Sequence, residues 1–104
     1  MEGVVALNEQ NFESTIGSGV TLVDFWAEWC GPCQVMLPIL SQFAQDAGGV
    51  KVGKVNVDEA PALAAKFRVM SIPTLIIFKD GKPVEQMVGV QQIETLKEKT
   101  AKHV

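Results

Sequence analysis

Two cysteines separated by two residues are the part of this sequence best suited to chemistry. Cys30 and Cys33 are the only cysteines among 104 residues, and they lie in the segment TLVDFWAEWCGPCQ at positions 21–34. A bridge between them would close a very small loop and would constrain the unfolded chain little. The pair therefore needs a reason other than stability, and thiol–disulfide exchange is the chemistry that the spacing favours.

The residues around the pair predict that the two thiols are unequal. An apolar strand runs into the motif, and Pro32 suits the first position of a helix because its missing N–H costs nothing there. Cys30 would then lie at the positive end of the helix dipole, which lowers the pKa of its thiol. Cys33 would lie one turn further in and be more buried. We expect Cys30 to be an exposed nucleophile and Cys33 the shielded thiol that resolves a mixed disulfide.

An acidic residue interrupts the apolar strand that precedes the motif. Burial of Asp24 would raise its pKa toward neutrality, so its carboxyl could accept the proton that Cys33 must lose. Lys54, on the strand expected to lie beside it, is a candidate charge partner. The alternative is a purely structural buried acid tied to Lys54, since ion pairs also shift pKa values without catalysing anything.

A zinc site is the main alternative use of a C-x-x-C motif. Zinc usually takes four protein ligands, and this chain offers two thiols and one histidine, His103. His103 is next to the last residue given, where we expect a solvated side chain. The sequence therefore predicts no metal site.

Composition places the chain among ordinary globular proteins. It is 47% hydrophobic and 20% charged, with a net charge of −3, and its length favours a single domain over residues 1–104. No basic patch indicates nucleic-acid binding, and no apolar run approaches the roughly 20 residues that span a bilayer. The first residues lack a signal-peptide pattern. We expect a cytoplasmic monomer.

Short apolar runs alternate with amphipathic segments along the chain. Strands separated by helices favour parallel pairing, and Asp80-Gly81 is a strong signal for a two-residue hairpin turn. The predicted class is α/β, with a mixed sheet and helices on both faces. The expected strands are 4–7, 20–27, 50–57 and the two arms of the hairpin, around 73–78 and 83–89; the expected helices follow Asn8 or Asn11 and cover about 32–47, 59–67 and 91–101.

The motifs, taken together, resemble the thioredoxin family. VDFWAEWCGPC matches the active-site signature of that family residue for residue, and the other matches follow in order and at family spacing over nearly the whole chain. These are Pro38 in the active-site helix, SIPT at 71–74 with the cis-proline Pro73, the FKDGK hairpin, and Val88-Gly89.

The resemblance implies a fold and an activity. The fold is a central mixed sheet of four or five strands flanked by four helices. The activity is general reduction of disulfide-containing protein substrates, with the redox-active Cys30–Cys33 disulfide and no bound cofactor. A thioredoxin reductase, most often an NADPH-dependent flavoenzyme, would recharge the protein.

The resemblance also implies roles for particular residues. Cys30 attacks, Cys33 resolves, Asp24 is the buried carboxyl and Lys54 its neighbour. The backbone of Ile72 would pair with an extended substrate. A flat apolar docking surface would comprise Trp29, Gly31, Pro32, Ile72, Pro73, Val88 and Gly89. Gln34 departs from the family pattern, because many members have a basic residue there, and this removes a charge beside the motif.

Two other functions fit the same fold. A disulfide oxidase or isomerase would usually carry histidine between the cysteines, whereas this chain has Gly31-Pro32. A non-redox binding module would use the apolar surface around Trp29 and Pro73 without needing the thiols.

Overall fold

The computed structural model describes residues 3–104 and contains five strands and four helices in that range. The predicted α/β class is confirmed. The strands are β1 (Val4–Leu7), β2 (Val20–Trp26), β3 (Lys51–Asn56), β4 (Thr74–Lys79) and β5 (Lys82–Val88). The helices are α1 (Phe12–Ile16), α2 (Gly31–Gln45), α3 (Pro61–Lys66) and α4 (Ile93–Ala101).

The five strands form one mixed sheet in the order β1-β3-β2-β4-β5. β3 pairs parallel with both β1 and β2, as expected for strands joined by helices. β4 is antiparallel to β2, and β5 is antiparallel to β4. β2, the strand that leads into the cysteines, therefore has a partner on each side, and its residues up to Phe25 are buried.

The hairpin between β4 and β5 has the predicted turn. Asp80 and Gly81 both have positive φ, at 50° and 86°, which suits the turn type that matches the twist of paired strands. The backbone of Asp80 also donates to the carbonyl of Gly19, and the Asp80 carboxylate accepts from the N–H of Gly19. The hairpin tip is thereby fastened to the loop before β2.

Side chains alternate between the two faces of the sheet and produce two cores. One core lies under α2 and α4, and we call it the reactive face because α2 carries the cysteines. The other lies under α1 and α3, and we call it the aromatic face. Asp24 alternates with Val23 and Phe25 of the aromatic face, so its side chain lies on the reactive face.

Helix boundaries differ from the predicted ones by one or two residues. α2 begins at Gly31 and ends at Gln45, rather than covering 32–47. Asn11 occupies the N-cap position of α1, but its side chain does not cap the helix. It instead accepts from the N–H of Asn8, whose own side chain accepts from the N–H groups of Gln10 and Asn11. Competing local hydrogen bonds of this kind are common for asparagine before a helix.

Candidate active site

The two cysteines form a disulfide at the N-terminus of α2. Cys30 is the N-cap residue, and Cys33 lies in the first helical turn, with a Cα–Cα distance of 5.2 Å. The N–H of Cys33 donates to Cys30 Sγ over 3.2 Å, so the sulfur occupies the place of an ordinary N-cap acceptor. Pro32 fits the first turn as predicted. Cys30 thus sits where the helix dipole favours negative charge.

The predicted exposure of Cys30 is wrong for this disulfide form. Cys30 is 4% exposed and Cys33 is fully buried, so both sulfurs are largely covered. Ala27 shares their cluster, and Trp26, Val57 and Ile72 pack against it. Cys30 Sγ lies 3.7 Å from the carbonyl oxygen of Ile72. The spacing of the motif could not reveal this cover in full, because Val57 and Ile72 come from segments distant in the sequence.

Asp24 is the one ionisable side chain that is buried within residues 3–104. Neither of its carboxyl oxygens has a hydrogen-bond partner in that part of the chain. Burial raises the pKa of Asp24 to about 7, while the positive charge of Lys54 acts in the opposite direction with a smaller effect. The carboxyl is therefore poised to gain or lose a proton near neutral pH.

Lys54 is the direct neighbour of Asp24 across the parallel pair β2–β3, as the sequence predicted. Its ammonium does not form a close ion pair with the carboxylate within the described residues. It lies over the Trp26 ring instead, 5.1 Å from the ring centroid. A cation held against an aromatic face remains partly solvated and acts on Asp24 through its charge.

The loop at Ile72-Pro73 approaches the cysteines, and the loop at Gly89 is hydrogen-bonded to it. The Ile72–Pro73 peptide bond is cis, which confirms the expectation from the family resemblance. Gly89, with φ of 91°, donates its N–H to the carbonyl of Pro73 over 2.8 Å. Ile72 is partly exposed and Val88 is 58% exposed, whereas the ring of Pro73 is buried. Pro73 therefore shapes the predicted docking surface without offering its ring to a partner.

The predicted docking residues on the α2 side are accessible. Gly31 and Pro32 are exposed, and Trp29 is 71% exposed. Gln34, where the family often has a basic residue, donates its side-chain amide to the carbonyl of Glu28. This leaves an uncharged side chain beside the motif.

Asp58 is a site residue that the sequence reasoning missed. Its carboxylate accepts a 2.8 Å hydrogen bond from Trp29 Nε1 and so holds the exposed indole. The side chain of Asn56 accepts from the N–H of Asp58 and shapes the turn after β3. The sequence could have predicted this contact. Parallel strands end at the same edge of a sheet, and Asp58 follows β3 as Trp29 follows β2.

The prediction that His103 is solvated is wrong. Its Nε2 lies 3.1 Å from a carboxylate oxygen of Glu85, and the His103 side chain is 23% exposed. Glu85 projects from β5 toward the last turn of α4, where Lys99 also approaches it at 3.8 Å. This contact lies apart from the cysteines. Within residues 3–104, no group of three or more His, Cys, Asp or Glu side chains could hold a metal ion.

In the described part of the chain, no helix combines the length and apolar character needed to cross a bilayer.

Comparison with known proteins agrees with this geometry. The thioredoxin family model matches residues 3–102. A thioredoxin from Staphylococcus saprophyticus is 53% identical over 102 residues, covering 97% of this chain and 98% of the relative. A thioredoxin from Staphylococcus aureus is 51% identical over the same length.

A solved structure shows the same fold. A single-residue mutant of a thioredoxin from Halobacterium salinarum superposes with a TM-score of 0.89 at 35% identity, covering 96% of this chain and 89% of that one. The chain therefore belongs to the thioredoxin family, and the protein is a thiol–disulfide oxidoreductase whose redox-active pair is Cys30 and Cys33.

Proposed function

We propose that the protein is a general reductase of protein disulfides, working in the cytoplasm as a single-domain monomer. The observation that carries the proposal is the position of the Cys30–Cys33 disulfide, at a helix N-terminus and beneath accessible apolar residues. A reductase must bind many unrelated proteins, and an accessible apolar surface suits such partners better than a closed, specific pocket.

The reaction begins at Cys30 of the reduced protein. The Cys30 thiolate attacks one sulfur of a substrate disulfide, a Cys30–substrate bond forms, and the second substrate sulfur leaves as a thiolate. Two features of the site support thiolate character at Cys30. These are its N-cap position and the N–H of Cys33, which points at its sulfur.

The second step releases the substrate. Cys33 loses its proton and attacks Cys30 Sγ, so the Cys30–Cys33 disulfide forms and the remaining substrate sulfur leaves reduced. Cys33 is fully buried, and water is a poor proton acceptor for it there. We assign the acceptor role to Asp24, which lies on the face of the sheet that α2 covers and whose pKa is about 7.

Lys54 adjusts that acceptor. Its charge stabilises ionised Asp24, so the carboxylate regains its charge more readily after passing the proton on. The ammonium over the Trp26 ring supports this role, because it is near the carboxyl yet not bound to it.

Substrates dock on the residues around the disulfide. An extended substrate segment pairs with the backbone of Ile72 and lies against Trp29, with the loop at Val88-Gly89 on the other side of the cysteines. The 3.7 Å separation of Cys30 Sγ and the Ile72 carbonyl supports this arrangement, since a strand held there would present its sulfur to Cys30. Gly31, Pro32 and buried Pro73 complete the surface.

The oxidised protein is recharged by a thioredoxin reductase, an NADPH-dependent flavoenzyme. This partner presents a dithiol to the same surface, so the protein needs no bound cofactor of its own. The absence of a basic stripe in the sequence gives no reason to expect a nucleic-acid partner.

Cysteine variants test the proposed order of attack. In an insulin-reduction assay driven by dithiothreitol, Cys30→Ser should lose activity, whereas Cys33→Ser should accumulate a mixed disulfide between Cys30 and the substrate. Insulin reduction by Cys30→Ser at the wild-type rate would refute the proposal.

Single-turnover kinetics test the role of Asp24. Asp24→Asn should leave the first attack unchanged, slow the resolving step and let mixed disulfide accumulate. Thr21→Val, which alters another buried polar residue of β2, is the matched control and should resolve at the wild-type rate. Unchanged kinetics in Asp24→Asn would remove Asp24 from the mechanism.

A further inference from the structure

Met70 is the most exposed large apolar side chain in the described part of the protein, at 91%. The other methionines in that part lie in the core, with Met36 fully buried and Met87 6% exposed. Met70 lies two residues before Ile72, on the segment that leads into the cis-proline. One accessible thioether thus sits close to the redox site while two others are shielded.

The surroundings of Met70 connect it to the proposed docking surface. Together with Trp29, Val69 and Ile72 it lines a largely apolar recess of about 390 Å³. The carbonyl of Ile72 reaches to 3.7 Å from Cys30 Sγ, so the recess adjoins the attacking sulfur. A substrate held on Ile72 would place a neighbouring side chain against the Met70 thioether.

We propose that Met70 is an oxidation site, and that its conversion to the sulfoxide weakens docking of protein substrates while leaving the chemistry of Cys30 and Cys33 intact. This inference rests on the proposed function, because it assumes that protein substrates dock on the surface around Trp29 and Ile72.

The modification is a two-electron oxidation by a hydroperoxide. A lone pair on Met70 Sδ attacks one peroxide oxygen, an S–O bond forms, and the O–O bond breaks. The other oxygen leaves with the bonding pair and takes up a proton, so the peroxide is reduced to water or an alcohol. Met36 is less available, because it is buried and its Sδ accepts a hydrogen bond from the N–H of Gln91 over 3.4 Å.

The sulfoxide changes the chemistry of the recess. A flexible apolar side chain becomes polar, and covering it with a substrate then requires removal of its hydration shell. Apolar contacts with Met70 are lost at the same time. Small disulfides that reach Cys30 without covering the recess should not sense the change.

The test begins with the disulfide form, in which the cysteines have no free thiol to react. The protein is treated with hydrogen peroxide, and the added oxygen is located by mass spectrometry of peptides. Met70 should be oxidised well before Met36 and Met87. Met70→Leu is the matched control, because leucine keeps an apolar side chain of similar size and removes the sulfur. Met1, which lies outside the described residues, is present in both proteins, so its oxidation does not contribute to the difference between them.

Two activities are then compared. The KM for insulin should rise about threefold to tenfold in treated wild type and stay unchanged in treated Met70→Leu. Reduction of the small disulfide DTNB should proceed at the untreated rate in both. Oxidation of Met36 or Met87 as fast as Met70, or an unchanged KM after full oxidation of Met70, would overturn the inference. If untreated wild type fails to reduce insulin while still reducing DTNB, the proposed function itself fails and this inference fails with it.

Discussion

The two faces of the sheet differ in the side chains they bury and in how these affect stability. The aromatic face packs Phe12, Phe67 and Phe78 ring against ring, with centroids 5.1–5.6 Å apart. The reactive face is mainly aliphatic and contains Asp24, whose carboxyl has no hydrogen-bond partner in residues 3–104. An apolar cluster of aromatic rings stabilises the fold, whereas a buried unpaired acid destabilises it whenever the acid is charged.

The two faces therefore contribute differently to stability and function. A protein of this size has a free energy of unfolding of only about 5–15 kcal/mol, so an ionised buried carboxyl lowers it by a large fraction. The packing of the aromatic face offsets the stability that is lost when buried Asp24 on the reactive face is charged. Changes on the reactive face should therefore alter pH dependence and substrate kinetics, and changes on the aromatic face should alter stability alone.

Removing the Asp24 charge should have the largest effect. The ordinary pKa of this acid is 3.8 and its folded value is about 7, so the folded protein binds more protons between these values. Stability therefore falls as pH rises through this window, and the full loss, about 4 kcal/mol, is present above it. In Asp24→Asn this fall should disappear. Urea unfolding at pH 4 and pH 8 measures the change in the free energy of unfolding between the two pH values. The same change in wild type and variant would contradict the assignment of a raised pKa.

Removing one aromatic ring from the aromatic face should have the second-largest effect. Phe78→Leu removes edge contacts with Phe12 and Phe67 and should lower the free energy of unfolding by about 2 kcal/mol. The KM and kcat for insulin should match wild type at temperatures where the variant is folded. A changed resolving step in this variant would break the proposed division between the faces.

Loosening the loop at Val88-Gly89 should have a smaller effect. The Gln91 side chain donates to the carbonyls of Val88 and Gly89, and its backbone N–H donates to Met36 Sδ. Gln91→Ala should raise the KM for insulin about threefold and leave DTNB reduction unchanged, because the loop that we propose docks substrates loses two hydrogen bonds.

Gln92 offers a matched control for that loop. It is exposed, occupies the N-cap position of α4 and makes no capping hydrogen bond through its side chain. Gln92→Ala should keep the wild-type KM. Equal KM values for both variants would show that Gln91 does not position the loop.

The smallest effect is expected at the contact between β5 and α4. The hydrogen bond with His103 is the largest effect and holds the pKa of Glu85 below its usual 4.5. Burial acts in the opposite direction, and the charges of Lys99 and Lys102 lower the pKa further by smaller amounts. A lowered carboxyl pKa adds stability that is present above the usual pKa and is lost as pH falls through the folded one. Glu85→Gln should lower the melting temperature at pH 7 slightly and not at pH 3. A larger fall in melting temperature at pH 3 than at pH 7 would contradict the lowered pKa of Glu85.

Local patterns were enough to predict much of the fold. The alternation of apolar runs and turn residues placed all five strands, and Asp80-Gly81 identified the hairpin. The C-G-P-C spacing located the start of α2 within one residue, because Pro32 suits only the first turn of a helix. Asp24 and Lys54 were placed as neighbours because strands joined by a helix run parallel.

The features that were missed depend on tertiary contacts. Cys30 is covered by Ile72, which is 42 residues away in sequence. Asp58 reaches Trp29 across the ends of two strands, and His103 finds Glu85 across β5 and α4. Lys54 lies over Trp26 rather than in a close ion pair with Asp24. Spacing along the chain predicts periodic elements, but it does not predict which side chains meet after those elements pack.

The reduction potential of the Cys30–Cys33 pair decides whether the protein can act as a reductant of protein disulfides. The protein is equilibrated with glutathione or dithiothreitol buffers of known potential, and tryptophan fluorescence follows the reaction, since Trp26 and Trp29 lie beside the disulfide. We expect a potential well below that of glutathione, as a reductant of protein disulfides requires. A potential at or above that of glutathione would contradict it and favour an oxidase or isomerase. Failure to form the disulfide at any potential would also contradict it and favour a non-redox binding module.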